Sequence, residues 1–297
     1  MQKNNRTFFS IIMIFMLGFA VSAVMADTEK AKEYFNAGLT AEQNSNTDEA
    51  ILSYKAAISE NADFIDAYIN LGAIYFKQKD YKNALDMYRT AVEKDKKNVT
   101  ALSNLGNVEY KLKKYAEAEI NFKAAISVTP TDANLFKDLG KVYYARRYYK
   151  KLVKTLNKCH ALGGGSHLTH YMLGKGYQKT EKSAQAIKAF KKSVTLKKKN
   201  YNAQFAMGQI YLSQQKFQSA AGAFNKALKA NPKKHLAAYN YAVAVESNDP
   251  DNYVKNISAW ERFVKIAKKN PRARKELSSA EGHLKELKEA KRQADLQ

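Results

Sequence analysis

His167 and His170 stand three residues apart, a spacing at which one helix turn can offer two imidazoles to a shared metal ion. The other histidines, His160, His235 and His283, add no paired ligand spacing. His170 also falls at a helix-face packing position equivalent to Tyr68 and Phe136, so no metal site is expected. Cys159 is the only cysteine, which rules out an intramolecular disulfide. It occupies the place that Ala57, Ala91, Ala125, Ser193 and Ala227 hold elsewhere, and reads as a buried small thiol. Gly-rich phosphate loops, G-x-S-x-G and H-E-x-x-H are all absent. The expectation is therefore no enzyme, no catalytic residues and no cofactor. What remains are side chains that bind rather than react. Phe76, Tyr110 and Tyr144 recur at equal intervals and would form an aromatic ladder. Aromatic rings give large contact area at low entropic cost. Asn70 and Asn104 could each pair a donor and an acceptor with a bound backbone.

Charge supplies the second candidate chemistry. The formal net charge is +22, and its distribution is uneven. Asp27–Pro130 holds 14 basic and 16 acidic residues, whereas Thr131–Gln297 holds 34 basic and 12 acidic. Clusters include Arg146-Arg147-Tyr148-Tyr149-Lys150-Lys151, Lys191-Lys192 and Lys197-Lys198-Lys199. A field of one sign over half a chain concentrates polyanions and speeds their capture. A solvated lysine surface that only keeps the protein soluble is the plainer reading of any one cluster.

Both sets must be positioned by helices. In Ile65–Asn98, Tyr68, Leu71, Gly72 and Tyr75 follow the spacing of one helix face, and Tyr81, Ala84, Leu85, Tyr88 and Ala91 follow another. Two such helices joined by the short polar turn Lys77–Asp80 must form an antiparallel hairpin. Gly72 and Ala84, small at the crossing, allow close approach of the two backbones. The glycine returns at a fixed step, at Gly38, Gly72, Gly106, Gly140, Gly174 and Gly208, with Ala242 at the next. Ala50, Ala84, Ala118, Ala186 and Ala220 keep the same period, as do Tyr54, Tyr88, Phe122, Phe190 and Phe224 four places later. This pattern, with Pro130 and Pro232 closing two units, resembles the tetratricopeptide repeat (TPR) family, whose period is about 34 residues. The resemblance covers about Ala31 to Pro271. It implies an all-α right-handed superhelical solenoid of about seven repeats, near 31–64, 65–98, 99–132, 133–166, 167–200, 201–234 and 235–271.

In that family the first helices line a concave groove that holds extended or helical peptides. Carried onto this chain, the groove residues are Asn70, Phe76 and Lys77, then Asn104, Asn107, Tyr110 and Lys111. Lys137, Lys141 and Tyr144 follow, then Tyr171, Lys175 and Lys179, and finally Phe205 and Gln209. The carboxylate clamp of chaperone-binding members is not reproduced, because Ile69, Ala73 and Met172 interrupt it.

Departures from the repeat are informative. Repeat one has Ala37 and Ala41 where larger residues are usual, as an end repeat should. Repeat four replaces the crossing alanine with Leu152 and ends in Gly163-Gly164-Gly165, which predicts wider helix spacing and a soft joint. Repeat seven carries five extra residues around Ser247–Asp251 before its phase resumes at Ala259 and Phe263. Leu277, Ala280, Leu284, Leu287 and Ala294 then form one stripe of a capping helix within 272–297.

Met1–Ala26 has Lys3 and Arg6, an uncharged apolar run from Phe8 to Val24, and small residues before Asp27. That is the layout of a signal peptide, and it predicts an exported, periplasmic chain beginning near Asp27. The run is at the lower edge of bilayer-spanning length, so an uncleaved membrane anchor is the alternative. The function expected is a non-enzymatic scaffold that holds a partner protein or peptide in its groove. The alternative is an adaptor whose basic half binds an anionic envelope polymer, a membrane surface or a nucleic acid, the last not expected if the chain is exported. Partner identity and oligomeric state, a homo-oligomer included, stay open.

Overall fold

The computed structural model describes residues 28–296, so the expected signal segment Met1–Ala26 lies outside the described residues. Helices α1 (28–43), α2 (Thr47–Glu60), α3 (Ile65–Lys77), α4 (Tyr81–Lys94), α5 (Val99–Lys111) and α6 (Tyr115–Val128) come first. Then follow α7 (Ala133–Ala145), α8 (Tyr149–Ala161), α9 (His167–Lys179), α10 (Ser183–Leu196), α11 (Tyr201–Ser213) and α12 (Phe217–Ala230). The last are α13 (His235–Asn248), α14 (Tyr253–Ala267), a 3-10 turn (Pro271–Ala273) and α15 (Arg274–Ala294). The chain divides into two compact units, Met1–Val142 and Tyr143–Gln297, with the division inside α7.

Within each unit, first helices pack on the second helix of their own repeat and on that of the repeat before. In the first unit α3 lies on α4 and α2, and α5 on α6 and α4. In the second, α9 lies on α10 and α8, α11 on α12 and α10, and α13 on α14 and α12. This is an all-α repeat solenoid.

The hairpin turns repeat as strictly as the helices. Ser45, Lys79, Lys113, Arg147, Glu181 and Gln215 all have φ between 57° and 65° and follow one another at the same interval as the glycines. A left-handed residue after a helix lets its own N–H and the next one satisfy the last carbonyls. Thus Asp80 N–H reaches Tyr75 C=O at 2.9 Å, Lys114 N–H reaches Glu109 C=O at 2.8 Å, and Lys216 N–H reaches Tyr211 C=O at 2.9 Å. Asn46, Asp80, Asn98, Ser166, Asn200 and Asn252 cap the helices that follow them with their side chains.

The glycines have a more specific partner than the alanine proposed for the crossing. A Cβ built on Gly72 would lie 2.9 Å from the Tyr88 ring, on Gly106 3.0 Å from Phe122, and on Gly174 2.6 Å from Phe190. Tyr54 covers Gly38 and Phe224 covers Gly208 in the same way. The ring from the second helix fills the space that a side chain would need. Ala84, Ala118, Ala186 and Ala220 are fully buried beside it.

Repeat four compensates for its large crossing residue. Leu152 is fully buried, and Gly176 of α9 stands against it where other repeats have Ile74, Val108 and Ile210. A Cβ on Gly176 would come 2.8 Å from Val153 Cγ2 and 3.3 Å from Leu152 Cδ2. The volume added on one helix is removed from the next. The three glycines form the turn after α8. Gly163 N–H bonds to His160 C=O at 3.0 Å and Gly164 N–H to Cys159 C=O at 2.9 Å. The buried Cys159 thiol donates back to Gly164 C=O at 3.3 Å.

In repeat seven the extra residues are shared between the turn 249–252 and the leading turn of α14 ahead of Ala259. Asn256, fully buried in that leading turn, donates to Asp249 and Pro250 carbonyls at 3.0 and 2.9 Å and so closes the enlarged loop. Helix α15 covers the end with Leu277, Ala280, Leu284 and Leu287, while Ala294 is exposed rather than part of the buried stripe. Glu246 ties the cap down. Its carboxylate accepts from Trp260 Nε1 at 2.7 Å and pairs with His283 Nε2 at 2.9 Å. At the other end Ala37 is exposed and Ala41 buried.

Candidate binding faces

The groove residues all lie on first helices, as the hairpin geometry requires. In the first unit Asn70 and Phe76 are half-buried on α3 and Lys77 is exposed. Asn70 Nδ2 donates to the Tyr54 hydroxyl at 3.3 Å, and that hydroxyl donates to Glu42 at 2.7 Å. Phe76 meets Tyr81 with ring centroids 5.5 Å apart, and Tyr110 meets Tyr115 at 5.6 Å. These rings therefore brace their own hairpin turns while keeping part of their area open. Asn104 and Asn107 are half-buried on α5, and Lys111 is exposed. On α7, Lys137 donates to Asn134 at 2.6 Å, and Lys141 pairs with Asp138 at 2.7 Å beside the Tyr110 hydroxyl.

The second unit arranges the same positions differently. Tyr144 and Tyr171 share a hydrogen bond between side chains, and burial pushes the Tyr171 hydroxyl well above its ordinary pKa. Tyr171 and Phe205 also rest on Phe190 and Phe224, at 5.8 and 5.5 Å between centroids. Lys175, the counterpart of Lys141, has Met172 where Lys141 has Asp138. Its ammonium finds only the amide oxygen of Gln178, at 2.8 Å. Burial, with Lys179 adding repulsion, pulls the Lys175 pKa below the usual lysine value. Lys179 and Gln209 are exposed.

The second-helix face carries the lysines, and the structure separates them into two groups. Lys151 lies over the Tyr143 and Tyr148 rings at 5.6 and 5.2 Å, and Arg146 stacks on Tyr148 at 4.4 Å. Lys188 and Lys192 instead line a cleft of about 550 Å³ between α8 and α10, floored by α9. His160 and His170 meet there with ring centroids 4.1 Å apart. Sequence spacing had paired His170 with its neighbour His167. The partner from α8 is visible only once repeats four and five are packed together. Lys154 and Lys158 are exposed on α8. Among the described residues no three His, Cys, Asp or Glu side chains gather to hold a metal, and no helix is long and apolar enough to cross a membrane.

Models of the tetratricopeptide repeat match residues 42–79, 65–98, 99–132, 171–235 and 205–271. The matches at 65–98 and 99–132 have the bounds read from the glycine period. No curated protein matches the sequence. Among solved structures, the C-terminal part of a TPR repeat-containing protein from Cytophaga hutchinsonii superposes with a TM-score of 0.65 at 18% identity, covering 80% of this chain and 97% of that one. Pseudomonas aeruginosa pilF gives 0.58 at 19% identity, over 73% and 96% of the two chains. YrrB, described as a TPR protein with an unusual peptide-binding site, gives 0.54 at 20% identity, over 60% and 91%. At these identities the likeness is one of fold.

Proposed function

Because the chain belongs to the tetratricopeptide repeat family, we propose that it is a non-enzymatic scaffold that holds an extended peptide segment of a partner protein on its first-helix face. Lys175 is the observation that carries this reading. A half-buried ammonium beside a hydrogen-bonded tyrosine pair, with its counterpart's carboxylate replaced by Met172, is electrostatically incomplete. An acidic side chain on a bound peptide would complete it, and Tyr144 and Tyr171 would supply the contact area. Lys141 needs no such partner, since Asp138 already neutralises it.

We also propose that the chain works outside the cytoplasm, in the periplasm, with its mature N-terminus near Asp27. The support is the charge, apolar run and small residues of Met1–Ala26. N-terminal sequencing of the protein from its host tests this, and intact Met1–Ala26 in the membrane fraction would favour the anchored form instead.

The binding test uses a partner recovered from envelope extract on the immobilised chain, then purified. Tyr144→Ala should weaken it by about 2 kcal/mol, since a few aromatic anchors dominate most interfaces. Lys175→Met should weaken it further and reduce its salt dependence. Unchanged affinity in both variants would place the partner elsewhere.

A further inference from the structure

The cleft between α8 and α10 has a chemistry of its own. Lys188, Lys191 and Lys192 project from α10 into a space of about 550 Å³, and no carboxylate lines it. Lysines recur along the second helices: Lys158, Lys192 and Lys226 hold the same repeat position on α8, α10 and α12. Between Tyr143 and Val245 the chain has 20 basic residues and a single acidic one, Glu181. Opposite the lysines, His160 and His170 are in ring contact. A second cleft of about 530 Å³, between α10 and α12, shares Lys191 and Thr195 with the first and adds Lys226.

We propose that the His160–His170 cleft binds a phosphate-type oxyanion, held by Lys188, Lys191 and Lys192 beside the imidazole pair; His160 Nε2 is engaged by Thr169 Oγ1 at 2.9 Å, which leaves its Nδ1 for the anion. The lining favours a phosphate over a carboxylate. No arginine lines this cleft, so it offers point charges rather than the bidentate fork that carboxylate recognition relies on, and lysine point charges suit the higher charge of a phosphate dianion. The three ammonium charges come from α10 and the two imidazoles stand across from them, so an anion between the two would be met from both sides. The cleft is also large for one ion and continues past Lys191 towards Lys226, so a short chain of phosphates fits as well as a single group.

Proton linkage gives an independent signature. Burial holds both imidazoles below their ordinary pKa, His170 down to about 4, with His160 and Lys192 adding repulsion. The charged or titratable groups around the pair are Lys188, Lys191 and Lys192 of α10 and Tyr177 of α9. All of these oppose protonation or are neutral. A bound dianion reverses the sign of the local field and raises the imidazole pKa values, so the imidazoles should gain a proton on binding, taken from the phosphate monoanion or from solvent.

The experiment is calorimetric titration of the purified full-length chain with orthophosphate and with tripolyphosphate, at constant ionic strength set by sodium chloride. Saturable binding is expected, with the His160 and His170 ring-proton NMR signals moving towards the protonated position at pH 6.5. Lys188→Gln with Lys192→Gln should weaken binding at least tenfold, whereas Lys150→Gln with Lys151→Gln should leave it within twofold. Tripolyphosphate binding tenfold tighter than orthophosphate identifies a phosphate chain reaching Lys226, and equal affinities identify an isolated phosphate group; either supports the site. Absence of saturable binding by both ligands overturns it. So does equal loss in the two lysine pairs, because that is general charge attraction. Tyr144→Ala should not alter phosphate binding, so failure here and failure of the peptide reading are told apart.

Discussion

Leu152 and Gly176 offer the sharpest test of how one repeat is fitted to the next. The equivalent pairs elsewhere are Ala50 with Ile74, Ala84 with Val108 and Ala186 with Ile210, each a small residue facing a large one. Repeat four reverses the order. Leu152→Ala alone removes a fully buried side chain, and such truncations typically cost 2–5 kcal/mol, about 3 here. Gly176→Val alone puts a Cβ 2.8 Å from Val153 Cγ2 and 3.3 Å from Leu152 Cδ2. Overpacking of that kind costs about 1–3 kcal/mol, offset by about 0.4 kcal/mol from removing a helix-interior glycine.

If the two effects were independent, the double variant would lose roughly 4–5 kcal/mol. In fact Leu152→Ala with Gly176→Val rebuilds the pair found as Ala84 and Val108, so the loss should fall to about 1–2 kcal/mol. The coupling of about 3 kcal/mol lies at the upper end of what contacting residues show. Urea midpoints at constant m-value measure it, with hydrogen exchange of α8 and α9 amides as a local readout that does not require all-or-none unfolding. A double variant no more stable than the sum of the two single changes would refute the idea that Gly176 exists to receive Leu152.

Two further outcomes follow from the packing and the electrostatics. Gly106→Leu should destabilise the chain by about 1–3 kcal/mol in urea unfolding, because its Cβ alone would stand 3.0 Å from the Phe122 ring; parent-like stability would mean the crossing lies elsewhere. His170 is neutral in the folded chain, with a pKa of about 4 against about 6.5 unfolded, so the unfolded state binds the extra proton and stability falls as pH drops from about 6.5 towards 4. Allowing for its partial exposure, the loss at pH 5 relative to pH 7 should be about 1 kcal/mol, and His170→Phe should flatten that slope.

Period alone carried most of the architecture. Six glycines and five alanines in one register fixed where the helices cross, and the turns that join them proved equally regular. The residues in left-handed conformation, Ser45, Lys79, Lys113, Arg147, Glu181 and Gln215, share no chemistry, so nothing in their types marks them. Their conformation is imposed by the helix that ends before them. Compensation between repeats was hidden for a different reason. Leu152 reads as an intruder when its own hairpin is considered alone, and Gly176 reads as a weak helix position. Only the packing of α9 on α8 brings them together. The same holds for His160, which belongs to the helix before that of His170 and meets it ring against ring in space. Motif spacing finds ligands on one helix; it misses those that neighbouring helices contribute singly.

The lysine surface can be weighed on similar grounds. A chain that needs charge only for solubility can mix signs, and the first unit does so, pairing Lys30 with Glu60, Lys94 with Asp63 and Lys141 with Asp138. The cap of the second unit does so too, through Lys268 with Glu281 and Lys288 with Glu261. Between them lies a stretch where Glu181 is the one acid among 20 basic residues. Unbalanced charge of one sign repels itself and works against the compact state. Repeats five and six therefore carry a cost that neighbouring repeats of the same fold avoid. Its concentration where two clefts share Lys191, and where two imidazoles are held neutral, gives that cost a local purpose: an anion seated there would relieve the repulsion that the sequence leaves uncompensated.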